Sequence, residues 1–140
     1  MAIARHMAQQ LSKDRKKQVG ALFVDKEGGF LSTGYNGFPR RAKDDIEERH
    51  ENDELKQKVT VHAEINAICQ AARKGVSLEG SRLYITTLPP CIECTKAIIQ
   101  SGCKEVYIEG DALLVKKWMV DWDLTTELFN ECGVKVWVLP

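Results

Sequence analysis

Two clusters of polar side chains, HAE at residues 62–64 and PCIEC at residues 90–94, stand at the starts of two separate apolar-patterned segments. Simple core packing has no use for an imidazole and a carboxylate at the first of those places, and the second cluster adds a pair of thiols. On one helix, positions two apart point roughly 200° away from each other, so His62 and Glu64 cannot converge from a helix side. At a helix end they can, because first-turn residues surround the axis. The same holds for Cys91 and Cys94 behind Pro90, since proline is tolerated at a first helical position. A chain that unites the clusters must therefore set two helix amino termini beside each other, and this requirement limits the fold more than any other feature. The positive dipole ends of those helices would also favour thiolate over thiol.

One imidazole and two thiolates form a donor set that suits zinc. A structural zinc site closes with four protein ligands, whereas a catalytic one leaves a position for water. Cys69 lies seven residues beyond His62, roughly 10 Å along a helix. Cys103 and Cys132 fall near far helix ends, and these three cysteines are expected to be buried and inert. His6 and His50 sit in distant segments. The expectation is an open fourth position, where zinc would bring the pKa of a bound water to about 7. Glu64, beside the ligands but not one of them, is placed to move that water's proton, a role worth about 10²–10⁴ in rate.

The rest of the chain supplies a scaffold. Ile3, Met7 and Leu11 predict one buried stripe on a first helix. QVGALFVD at 18–25 and FLSTGYNG at 30–37 read as two strands of a hairpin around the KEGG turn. Residues 39–58 are dense in both charges and read as a solvated loop with a helical piece, or else a lid or phosphate clamp. Ile65, Ile68, Cys69 and Ala72 mark a helix stopped by Gly75. SRLYITTL, KEVYIEG and VKVWVLP are strands, separated by a helix after Pro90 and by one over KWMVDWDLTTELFNECG. Strands joined through helices favour parallel pairing with right-handed crossovers. The expected fold is therefore α/β, three layers of α/β/α around a mixed five-stranded sheet, in a single domain over residues 1–140.

Lysine plus arginine equals aspartate plus glutamate, 20 of each. A neutral chain is not built to hold long nucleic acid by its overall field, although a local basic pocket can still hold one small anion. No apolar run approaches the ~20 residues that span a bilayer, and MAIARHMAQQ lacks a signal-peptide core. The five cysteines are an odd count, which argues against a disulfide framework. Together these features predict a cytoplasmic protein.

H-x-E followed by P-C-x-x-C is the signature of zinc-dependent deaminases. SKD at 12–14, QVGA at 18–21, GYNGFP at 34–39, HAEINAI at 62–68 and PCIECTKAIIQSG at 90–102 extend the match across most of the chain. The sequence resembles the deoxycytidylate deaminases of the cytidine deaminase superfamily. That resemblance implies a cytidine-deaminase-like fold and hydrolysis of dCMP to dUMP and ammonia, feeding thymidylate synthesis. It also implies a homo-oligomer, often a hexamer, with dCTP and dTTP as effectors and Mg²⁺ accompanying the triphosphate. Carried over, His62, Cys91 and Cys94 hold zinc, and Glu64 passes the water proton to N3 of cytosine as C4 is attacked. Asn36 would bond the sugar and the Ala63 N–H the base carbonyl. Arg40, Arg41, Lys116 and Lys117 are candidates for the phosphate. One departure stands out: the family often carries glycine where this chain has Arg41, and arginine disfavours the positive φ that glycine allows.

Other readings stay open at this point. The same chemistry could serve dCTP, CMP, deoxycytidine or guanine, or an adenosine in tRNA, the last expected to show a basic face. A zinc-stabilised module without chemistry would have no use for Glu64. A thiol–disulfide oxidoreductase would rest on C-x-x-C alone.

Overall fold

The computed structural model describes residues 1–111 and 121–140. Its elements run α1 (Ala2–Leu11), β1 (Gly20–Val24), β2 (Phe30–Tyr35), α2 (Glu47–Glu51), α3 (Asp53–Val59), α4 (Ala63–Lys74), β3 (Arg82–Ile85), α5 (Ile92–Gln100), β4 (Glu105–Glu109), α6 (Trp122–Glu131) and β5 (Lys135–Leu139). One five-stranded sheet has the order β2-β1-β3-β4-β5. β1 pairs antiparallel with both β2 and β3, while β3–β4 and β4–β5 are parallel. The mixed sheet matches the expectation. Its antiparallel half comes from the hairpin and its parallel half from the helical crossovers.

Strand alternation divides the core. Ala21, Phe23, Leu83, Ile85, Val106 and Ile108 point to the side that carries Ala67, Ile98 and Phe129 from α4, α5 and α6. Leu22 and Val24 point to the other side, under Ala4 of α1. Each large side chain buried in this way contributes about 1.5–3 kcal/mol.

Two helices meet the sheet through alanine rather than through larger side chains. On α1 the buried residues are Ala4 and Ala8, while Ile3 and Leu11 are each 46% exposed. The expected Ile3–Met7–Leu11 stripe is therefore corrected. The cause is Gly20: a Cβ there would lie 2.1 Å from the Ala4 carbonyl oxygen, so only small residues fit between helix and strand. On α4, Ala63, Ala67 and Ala71 are buried, Ile65 and Ile68 pack at the margin, and Cys69 is exposed. A Cβ on Gly34 would lie 2.2 Å from the Ala63 carbonyl oxygen, the same arrangement on the opposite face of the sheet. The periodicity located both helices, but the small residues on the strands decide which stripe faces inward.

The charged segment folds as the two short helices α2 and α3, with no buried residue in either. Gly75 and Gly133 end α4 and α6 with φ of 66° and 72°, the left-handed stop that glycine permits. The expected helix around Trp118 falls partly on residues 112–120, outside the described residues, whereas α6 accounts for its later half.

Candidate metal centre

α4 and α5 begin beside each other, and the polar clusters occupy those beginnings. His62 is the residue just before α4, in extended backbone, and Glu64 lies in the helix's first turn. Close packing of α4 on Gly34 fixes the depth of this start. Asn66 and Gln70 then tie the helix to the edge strand: Asn66 Nδ2 donates to the Tyr35 carbonyl at 2.7 Å, and the Thr33 N–H donates to Gln70 Oε1 at 2.9 Å. A bridge between Gly37 and Val61 holds the chain just before His62.

Cys91 caps α5, its sulfur accepting the Cys94 N–H at 3.5 Å. Pro90 does not open this helix, which corrects the expectation from sequence. It lies two residues ahead of Ile92, where α5 begins. Consecutive prolines at 89 and 90 favour extended backbone before them, so the chain turns helical only once Cys91 has capped it.

The three donors converge. His62 Nδ1 lies 3.5 Å from Cys91 Sγ and 3.4 Å from Cys94 Sγ. A tetrahedral zinc with ordinary Zn–S and Zn–N bonds separates nitrogen from sulfur by about 3.5 Å, so the spacing fits that ion. Among the described residues, the ligand atoms of this one group of His, Cys, Asp or Glu lie within 4.8 Å of one another in a metal-ready cluster. Cys69 and Cys132 are exposed and Cys103 is buried in the core; the expected burial of the first two is corrected. His50 turns away, against the Phe38 ring and the Asp44 carbonyl.

The local fields favour a divalent cation. A hydrogen bond from Cys94, with the His62 ring beside it, holds the Cys91 thiol down to about 4. Its partnership with Cys91, together with burial and the nearby Glu64 carboxylate, pushes Cys94 up. The pair thus shares one proton, which a metal would displace on binding both sulfurs. The hydrogen bond with Cys91 raises the His62 pKa against the opposing effect of burial. Glu64 is 4% exposed, and burial raises its carboxyl. Its Oε2 lies 3.7 Å from Cys94 Sγ, beside the ligands.

A cavity of about 400 Å³ opens onto this cluster, with His62, Ala63, Glu64 and Cys91 at its floor. Ala63 opens α4, so its N–H has no acceptor within the helix. Asn36 lines the same cavity with its amide engaged on all sides. Oδ1 accepts from Ser12 Oγ and the Val19 N–H, and Nδ2 donates to the Lys17 carbonyl and, at 3.4 Å, to Asp14. Lys16, Lys17 and Lys56 also line it, and sequence reasoning did not single them out. The charge run RKK at 15–17 was the available signal.

A second cavity, also about 400 Å³, lies beyond a wall of Asp14, Lys56 and Thr60 shared with the first. Arg40 and Arg41 line this second cavity, whereas Lys116 and Lys117 lie outside the described residues. Arg41 adopts φ of 67°. The left-handed conformation that glycine would take at this position is therefore kept by arginine.

Comparison with known proteins follows the same lines. The family described as "Cytidine and deoxycytidylate deaminase zinc-binding region" matches residues 1–109. A probable deoxycytidylate deaminase of Drosophila melanogaster is 46% identical over 109 residues, covering 71% of this chain and 52% of that protein. The chain thus spans about half the length of that relative. The deoxycytidylate deaminase of Enterobacteria phage T2 is 32% identical, with 96% of this chain and 88% of the phage protein covered. Among solved structures, the dCMP deaminase of cyanophage S-TIM5, in complex with dCMP and dUMP, superposes with a TM-score of 0.73. It is 28% identical and the match covers 99% of this chain and 92% of that one.

Proposed function

The chain belongs to the cytidine and deoxycytidylate deaminase zinc-binding family, and from that premise we propose that it hydrolyses dCMP to dUMP and ammonia. The observation that carries this reading is the placement of Glu64. It is a buried carboxyl lining a cavity that also reaches His62 and Cys91 of a ready-made zinc donor set. His62, Cys91 and Cys94 would hold the ion. When bound, zinc would supply a nucleophile at neutral pH by lowering the pKa of water to about 7.

The chain's own groups would do the rest. Glu64 would accept the proton of the attacking water and deliver it to N3 of the cytosine, which makes C4 electrophilic. It would then take the second proton of the added water from the new C4 hydroxyl and pass it to the departing amine, so that the C4 carbonyl forms and ammonia leaves as a neutral molecule. Burial, which raises the Glu64 carboxyl, suits a group that must both take and give a proton near neutrality. The free N–H of Ala63 is proposed to hold the base carbonyl. Asn36 is proposed at the sugar, whose hydroxyl could replace its long bond to Asp14. The dCMP and dUMP named for the cyanophage relative support a nucleotide of this size in the cavity.

The second cavity is the proposed seat of a dCTP or dTTP effector with its Mg²⁺. Lys13, Arg40, Arg41 and Arg73 give its lining the cations that a triphosphate requires. A homo-oligomer, a hexamer on the family resemblance, is also proposed. A row of stacked rings, Tyr84, Tyr107 and the half-exposed Trp137, on one sheet face is consistent with self-association. No helix among the described residues is long and apolar enough to cross a membrane, and a cytoplasmic location is proposed.

Ammonia release from dCMP, deoxycytidine, dCTP and CMP, each with and without dCTP and dTTP, tests the assignment. dCMP should give the highest kcat/KM. Better turnover of deoxycytidine than of dCMP would defeat the monophosphate assignment.

A further inference from the structure

Resting on the dCMP reading above, we infer that the 5′-phosphate of the substrate is gripped by Lys16 and Lys17, on the loop between α1 and β1, with Lys56 of α3 behind them. The cavity over the metal centre has His62, Glu64 and Cys91 in its lining, and the chemistry belongs beside them. A nucleotide with C4 beside these groups must send its phosphate to a part of the lining away from them. Among the described lining residues of this cavity, the lysines and arginines are Lys16, Lys17 and Lys56. Arg40 and Arg41, the sequence candidates, open into the neighbouring cavity instead.

The loop is built to present these side chains in a fixed direction. Asp14 Oδ1 accepts the N–H groups of Lys16 and Lys17 at 2.8 and 2.9 Å, folding the backbone back on itself. Asn36 takes the Lys17 carbonyl from the other side. Lys56 is fixed too: its ammonium meets Asp14 Oδ1 at 2.8 Å, and both side chains are largely buried. Lys16, by contrast, pairs with Asp53 at 2.9 Å in an exposed contact. Such a pair is worth little, so a phosphate dianion can draw Lys16 away from Asp53 at small cost. Lys56, its charge balanced by Asp14, keeps that carboxylate and the loop in place. The result is a cationic end that distinguishes a nucleoside 5′-monophosphate from the bare nucleoside.

The test is the K16A/K17A double variant beside wild type, assayed with dCMP and deoxycytidine. Binding of dUMP is followed in parallel by calorimetry. We expect kcat/KM for dCMP to fall roughly 10- to 100-fold, mainly through KM, as for loss of hydrogen bonds to a charged group. dUMP binding should weaken in step, and the preference for dCMP over deoxycytidine should shrink by the same factor. Zinc content and thermal midpoint should match wild type, which separates a lost phosphate contact from a damaged fold, and Lys16→Arg should keep most of the preference. An unchanged KM for dCMP and unchanged dUMP binding in the double variant would overturn the inference while leaving dCMP as substrate. A wild-type enzyme that does not turn over dCMP would instead remove the reading on which the inference stands.

Discussion

Two cavities of about the same volume share the Asp14–Lys56–Thr60 wall, yet they are made by different means. The metal cavity takes its working groups from helix starts that are locked to the sheet. His62 and Cys91 cap α4 and α5, Glu64 is buried, and glycine in β2 sets how near α4 can come. The second cavity takes many of its groups from the 38–50 segment, which is held by solvent-exposed ion pairs such as Lys13–Asp44 and Arg15–Glu47. Exposed pairs contribute about 0–1 kcal/mol each and weaken with salt. The difference teaches where each kind of function can sit. Bond-making chemistry needs groups placed to within tenths of an ångström, whereas a regulatory or accessory site tolerates side chains that re-pair.

The largest effect that would sharpen this contrast is expected at Glu64. Glu64→Gln keeps the volume and the hydrogen-bonding shape but cannot carry a proton. Turnover of dCMP should fall by about 10²–10⁴-fold, while bound zinc per chain, measured by elemental analysis, stays as in wild type. Wild-type turnover in this variant would end the proton-transfer role of Glu64. Loss of zinc along with turnover would show that the carboxylate supports the metal rather than the chemistry.

Much of the metal cavity was legible because its constraints are local. Helix periodicity excludes convergence of His62 and Glu64 from a helix side, and helix starts are places where polar residues in sequence point to one spot. The alanine stripes were not legible, because apolar periodicity favours Ile3, Leu11 and Cys69 over the smaller Ala4, Ala8 and Ala67. The deciding residues, Gly20 and Gly34, belong to strands elsewhere in the chain. The placement of two of the phosphate candidates was hidden for a similar reason. Arg40 and Arg41 follow GYNG in sequence, but the wall between the cavities sends them into the second one. That wall includes Asp14 and Lys56, which are 42 positions apart in the chain.

The wall itself offers a middle-sized test. Burial raises the Asp14 pKa, but the Lys56 ammonium and the N–H groups of Lys17 and Lys16 more than offset this, so its folded-state value lies below the ordinary 3.8. A carboxyl depressed on folding contributes stability that is fully present above its unfolded pKa and is lost as pH falls through the folded value. Asp14→Asn should therefore cost about 1–3 kcal/mol near pH 7, and its deficit should shrink as the wild-type carboxyl protonates below about pH 4. Urea unfolding of both proteins across that pH range gives the comparison. A deficit independent of pH would mean that packing, and not the Asp14 charge, holds the two cavities apart.

The smallest expected effect belongs to the second cavity, at Arg41. Its φ of 67° places an ordinary L-residue in left-handed backbone, a conformation that costs about 1–2 kcal/mol. Arg41→Gly removes that cost but gives back about 0.5–1 kcal/mol through the freer unfolded chain. The two terms nearly cancel, so the thermal midpoint should move by only a few degrees, and upward if at all. Arg41→Val adds a β-branch that resists the same conformation and should lower the midpoint by more. If glycine and valine shift it equally, the backbone at 41 is not held left-handed in solution. The second cavity would then differ from the metal cavity in having no fixed backbone geometry at this position.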